Sequence, residues 1–153
     1  MYSLRKATYV DVDILVDFRI EFLKEFQNIP SDNEMEIFRK SLKNFFLDKM
    51  KSGEFIAWFA VSENKILATS GLSFLQRPPH FFNKTGKFAY IMNMYTKPNW
   101  RRKGVGSALL EKLFEEIKNK GINTVFLHAT PAGRPLYEKY GFRESDGEMI
   151  LKL

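Results

Sequence analysis

The stretch Trp100-Arg101-Arg102-Lys103-Gly104-Val105-Gly106-Ser107 concentrates side chains that can do chemistry. Three cations stand directly before a segment with helical periodicity. A helix N-terminus carries about half a positive elementary charge, and a cation beside it costs ~0.3–1 kcal/mol. Helix starts ordinarily carry Asp, Glu, Ser or Thr instead. The arrangement is electrostatically unfavourable when empty and favourable around an anion. Gly104 and Gly106 lack a Cβ, so a ligand can approach the main chain closely. The free N–H groups of the first turn then point at it, as at phosphate-binding helix ends. A solvated basic turn, with the glycines kept for packing, is the other reading that the charges alone allow.

Two other phosphate loops fit poorly. A Walker loop needs Gly-Lys before Ser or Thr, and here the order is Lys103-Gly104-Val105. The dinucleotide fingerprint needs a third glycine where Leu109 stands, and belongs to the first strand–helix turn of its fold. With no cysteine, thiolate metal sites, disulfides and cysteine nucleophiles are excluded. His80 and His128 are the only imidazoles, too few for a multi-histidine metal site, so no metal is expected.

The elements that must position these residues follow from periodicity. Tyr2–Lys6 reads as a short strand. Thr8 and Asp11 resemble a capping box before a helix over about Val10–Gln27, with Val12, Leu15, Val16, Phe22, Leu23 and Phe26 at helical spacing. Ser31 can cap a second helix that stops before Ser52-Gly53. Phe55–Val61 and Lys65–Gln76 form a hairpin around Ser62-Glu63-Asn64. A loop with two prolines follows over Arg77–Gly86, then a strand over Phe88–Thr96, halted by Pro98. Val105, Leu109, Leu113 and Ile117 mark a helix over Gly104–Lys120, with Gly121 as its stop. Thr124–Ala129 reads as a strand, Ala132–Tyr140 as a short helix and Glu148–Leu153 as a final strand. The order predicts an α/β or α+β fold with a mixed sheet. At 153 residues, without repeats or linkers, residues 1–153 are expected to form a single domain.

Arg-x-x-Gly-x-Gly after a strand and a proline, then an amphipathic helix, a strand and Leu136-Tyr137-Glu138-Lys139-Tyr140-Gly141-Phe142, resembles the GCN5-related N-acetyltransferase (GNAT) family. The resemblance is strongest over Ala89–Phe142. It implies a central mixed, mostly antiparallel sheet, with splayed parallel strands 4 and 5 and about four flanking helices. It also implies acetyl-CoA as cosubstrate. The main chain of Met94, Tyr95 and Thr96 would pair with the pantetheine arm, and Arg101, Arg102, Lys103, Gly104, Val105, Gly106 and Ser107 would hold the pyrophosphate. Tyr137 matches the tyrosine that protonates the departing thiolate; outside the motif it reads as a tyrosine packed on a short helix. Thr130 and Gly133 depart from the Asn and Ala that many relatives carry, which puts the contacts of that loop in question.

An amine acceptor must lose a proton before it attacks. His128 is a candidate base, with a structural role as its alternative; Glu21 and Glu25 stand behind it, with simple solvation on the helix surface as theirs. Acceptor pockets in the family use the first two helices and the loop between the middle strands. Arg19 falls within the apolar stripe of the first helix, where it must snorkel, pair, or clamp an anionic group of the acceptor. Asn93 is expected to hydrogen-bond the acceptor. Arg77–Phe82 reads as an aromatic lid or as an exposed hairpin end.

The expected activity is acetyl transfer from acetyl-CoA to a primary amine, on a small molecule or a peptide, by direct attack in a ternary complex. A non-catalytic acyl-CoA-binding module is the alternative. The net charge of +6 suits an anionic partner, but the basic residues gather at one helix end, so neither nucleic acid nor membrane is expected. The longest apolar run, Phe55–Val61, is far short of a membrane span, and no signal-peptide pattern opens the chain; a cytoplasmic location is expected. The resemblance allows a homodimer without requiring one.

Overall fold

The computed structural model describes residues 1–145 and 147–153. Five strands form one sheet in chain order: β1 (Ser3–Lys6), β2 (Phe55–Ser62), β3 (Lys65–Gln76), β4 (Lys87–Thr96) and β5 (Val125–Leu127). The first three pairings are antiparallel and β4–β5 is parallel. Helices α1 (Val12–Lys24) and α2 (Asp32–Ser52) cover one face, α3 (Val105–Asn119) covers the other, and α4 (Arg134–Lys139) packs beside it.

Alternation along β2 explains the layers. Phe55, Ala57 and Phe59 join Leu15, Val16 and Phe46 on the α1/α2 face, while Ile56 and Trp58 pack toward α3. On α3, Val105, Leu109, Leu110, Leu113 and Ile117 are all buried, as their spacing requires. Asp11 ends a short 3-10 turn before α1. Its carboxylate accepts the Thr8 N–H at 2.8 Å and both guanidinium nitrogens of Arg5 at 2.8 and 2.9 Å. Ser31 and Glu34 form a reciprocal capping box at the start of α2, and Gly53 ends that helix at φ 75°.

One expectation changes. Residues 148–153 form no strand. Their apolar pattern suits one, but a strand exists only where a neighbour supplies a ladder. Met149, Ile150 and Leu151 instead stand exposed, with Glu148 3.5 Å from Arg77. Of the two readings of Arg77–Phe82, the exposed hairpin end fits: Phe81 and Phe82 are fully exposed and border neither of the two principal cavities.

A bulge in β4 matters most for function. Met92 lies opposite Gly71 and Tyr95 opposite Thr69, so Asn93 and Met94 together face the single residue Ser70. Asn93 adopts φ 55°, the left-handed region that Asn tolerates better than most residues. The extra residue reverses the alternation. Ile91 packs toward α3 and Met92 toward α1, yet Asn93 also meets α1.

Candidate active site

Strands β4 and β5 stay paired only from Ala89–Val125 to Ile91–Leu127. Beyond Ile91, β4 continues for five residues with no partner on that side. Lys97 donates its N–H to the Leu67 carbonyl at 2.9 Å, toward β3. By alternation the N–H and C=O groups of Thr96 and Met94 face the open side. A cavity of about 880 Å³ fills this splay. Met94, Tyr95 and Thr96 border it on one side, the start of α3 at its end, and Tyr137 with the loop before α4 opposite.

At the α3 end, Gly104 takes φ 79° and nothing lies within 4 Å of where its Cβ would stand. The first main-chain bond of the helix runs from the Ala108 N–H to the Gly104 carbonyl, so the N–H groups of Val105, Gly106 and Ser107 have no helical partner. The three cations are not equivalent. Arg101 donates to the Thr96 carbonyl at 2.8 Å and pairs with Glu25, the residue just past α1, at 2.5 Å, which ties the end of α1 to the end of β4. Lys103 lies over the Trp100 ring, and neither it nor Arg102 has a carboxylate partner among the described residues. These two retain free charge for a ligand.

Tyr137 of α4 is buried, and burial alone pushes its phenol up to about 12. The departures nearby have a physical account. Thr130 Oγ1 accepts the Gly133 N–H at 3.2 Å, so the hydroxyl side chain caps the turn into α4. A Cβ at Gly133 would lie 3.1 Å from the Tyr137 ring, so glycine lets the ring sit close.

On the α1 side of the cavity four side chains converge. Arg19 donates to Asn93 Oδ1 at 3.2 Å. Tyr90 reaches His128, its hydroxyl hydrogen-bonded to Nδ1. Burial pushes the Tyr90 phenol up, opposed by the nearby Arg19 charge. Burial of Arg19 lowers its own pKa. Sequence reasoning passed over Tyr90, although it stands three positions before Asn93 on a strand already assigned to the site. Glu25 is engaged by Arg101, which removes it as a free base. Phe22 and Phe26 also border the cavity, and Phe26 is thereby half exposed instead of filling the core.

This cleft between splayed parallel strands, closed by a glycine-rich helix start and a buried tyrosine, defines an acyl-coenzyme-binding fold. The chain belongs to the acetyltransferase (GNAT) family, whose model matches residues 15–142. A crystal structure described as a "predicted acetyltransferase with acetyl-CoA" from Clostridium acetobutylicum is 35% identical. It covers 99% of this chain and 96% of its own, with a TM-score of 0.92. Glucosamine 6-phosphate N-acetyltransferase of Trypanosoma brucei brucei is 32% identical over 54% of this chain and 56% of its own. The bS18-alanine N-acetyltransferase of Escherichia coli K12 is 37% identical over 37% of this chain and 40% of its own. The matches to these curated relatives thus span about half of their length or less. Family members use acetyl-CoA as cosubstrate, and the residues of this cleft fit it: open main chain along one wall, free N–H groups and uncompensated cations at its end. Among the described residues no group of three or more acidic or imidazole side chains could hold a metal ion, and no helix is long and apolar enough to cross a membrane.

Proposed function

We propose that residues 1–153 form an N-acetyltransferase domain, which moves an acetyl group from acetyl-CoA to a primary amine in a ternary complex. The observation that carries this reading is the end of β4–β5 pairing at Ile91–Leu127, which leaves the main chain of Met94 and the N–H of Thr96 open on a cavity shared with Tyr137 and the start of α3.

The coenzyme supplies an acetyl carbonyl already activated as a thioester. Met94, Tyr95 and Thr96 hold its pantetheine arm as an added strand. An N–H of this segment stabilises negative charge developing on the carbonyl oxygen. Arg102, Lys103 and the N–H groups of residues 105–107 hold the pyrophosphate, while Arg101 fixes the wall of the site. His128, oriented through Nδ1 by Tyr90, has Nε2 left to take the acceptor's proton. The amine nitrogen then bonds to the acetyl carbon, the carbon–sulfur bond breaks, and Tyr137 delivers its proton to the leaving thiolate. A neutral phenol can do this at pH 7, and burial keeps Tyr137 neutral.

Calorimetry with acetyl-CoA and a thiol-release assay across amine classes test the reading. Expected are saturable acetyl-CoA binding and release of free thiol only with an amine present. Binding without turnover on any amine would leave a coenzyme-binding module, and no binding at millimolar acetyl-CoA would refute the assignment altogether.

A further inference from the structure

The acceptor wall holds a guanidinium without a counter-ion and, behind it, an amide donor without an acceptor. Asn93 is 3% exposed and borders the cavity, and its Nδ2 has no hydrogen-bond partner. Its Oδ1 is already taken by Arg19, so the amide is oriented and Nδ2 remains a donor only. A buried unpaired donor costs roughly 1–3 kcal/mol, and few native groups are left so. Arg19 borders the same cavity, partly buried on α1. Among the described residues no carboxylate lies within ion-pair distance of it; its neighbours are Asn93, the Phe22 ring and Tyr90. The acids of α1 do not compensate it: Asp13 pairs with Lys43 and Asp17 with Arg39, and among the described residues Glu21 makes no ion pair with it; Glu25, just past the helix, pairs with Arg101. The molecule thus keeps a guanidinium charge without a counter-ion beside a buried, unpaired amide donor, next to the proposed base.

We infer that Arg19 and Asn93 form an anion-binding subsite, and that the acceptor is a small amine carrying a carboxylate or a phosphate monoester. The inference rests on the proposed acetyl transfer and adds the class of acceptor. A guanidinium presents paired N–H groups that match either oxyanion, and Asn93, accepting from Arg19 through Oδ1, fixes how that guanidinium faces the cavity. The anion would hold one end of the acceptor here and leave its amine toward His128 and Tyr90. Polyamines and other polycationic amines are disfavoured, since they would set like charge against Arg19.

The test compares matched acceptors by thiol release: an α-amino acid against its amide, and an amino sugar against its 6-phosphate. Wild type is expected to favour at least one anionic member of these pairs by roughly 10- to 100-fold in kcat/KM. In Arg19→Met the preference collapses through a raised KM for the anionic acceptor, and Arg19→Lys restores part of it. Calorimetry shows acetyl-CoA still binding to both variants, and thermal melting verifies that they fold. The favoured pair tells carboxylate from phosphate. Equal or better use of the neutral acceptors by wild type, or an anionic preference that survives in Arg19→Met, overturns the subsite. Failure of wild type to acetylate any amine overturns the transferase reading and this inference with it.

Discussion

Tyr137 shows how one side chain acquires its role from its surroundings. A solvated tyrosine titrates near 10. Burial lifts this one to about 12, because the protein around it solvates the phenolate poorly. The proton is therefore held throughout the range in which an amine can be acetylated. Tyr137→Phe should lower kcat by roughly 10²-fold or more, with little change in the affinity for acetyl-CoA measured by calorimetry. The sign of the pH effect follows from the raised pKa: an acid must be protonated to act, so wild-type kcat should show no alkaline fall attributable to Tyr137 through pH ~10. A fall near the ordinary tyrosine value, absent from Tyr137→Phe, would show that the phenol is not shielded as the structure has it. Burial of this group is invisible in a motif, which names the residue and not its environment.

Among the elements, the start of α3 and the start of α1 make opposite use of charge. Cations precede α3: Glu25 compensates Arg101, while Arg102 and Lys103 have no carboxylate partner among the described residues. Gly106 in its first turn has Leu136 at 3.4 Å from a hypothetical Cβ, an ordinary contact. Gly106→Val should therefore fold, yet raise the dissociation constant for acetyl-CoA at least tenfold, read by calorimetry, because its branches enter the cleft. Before α1 the protein supplies its own anion. Asp11 is buried, and its bidentate pair with Arg5 holds its pKa down to about 2. A depressed carboxylate pKa gives stability that is present above the unfolded value of 3.8 and lost as pH falls through the folded value. Asp11→Asn should thus lower Tm by a few degrees at neutral pH, and the gap from wild type should shrink as the pH falls toward 2. Arg5 is almost half exposed, so solvent screens part of this effect.

The whole molecule is a sheet between helical layers, and its tolerance to change depends on the distance from the splay. Gly71 sits where β3 passes beneath Phe55: an added Cβ would lie 2.9 Å from that buried ring and 3.1 Å from the Met92 carbonyl. Gly71→Ala should destabilise by about 1–3 kcal/mol in denaturant unfolding, although it touches no coenzyme group. The same substitution presses on Met92, beside the bulge, so a rise in KM for the acceptor is expected with it.

Much of this architecture was legible in the residues. Strand and helix boundaries came within a few positions, because alternation and helical spacing are local and each element buries the face its pattern marks. The charge conflict ahead of Gly104 could be read for the same reason: a helix dipole and the side chains beside it are set within one turn. The strand expected over 148–153 failed because pairing is not a local property. The convergence of Arg19, Tyr90, Asn93 and His128 had no local signal either. Arg19 and Asn93 are 74 positions apart, and Asn93 faces α1 only because one extra residue in β4 reverses its side of the sheet. Sequence determined the charge conflict ahead of Gly104 and which tyrosine stands near it. The register of β4 against β3, settled by packing across the whole sheet, decided what the other wall of the cavity offers an acceptor.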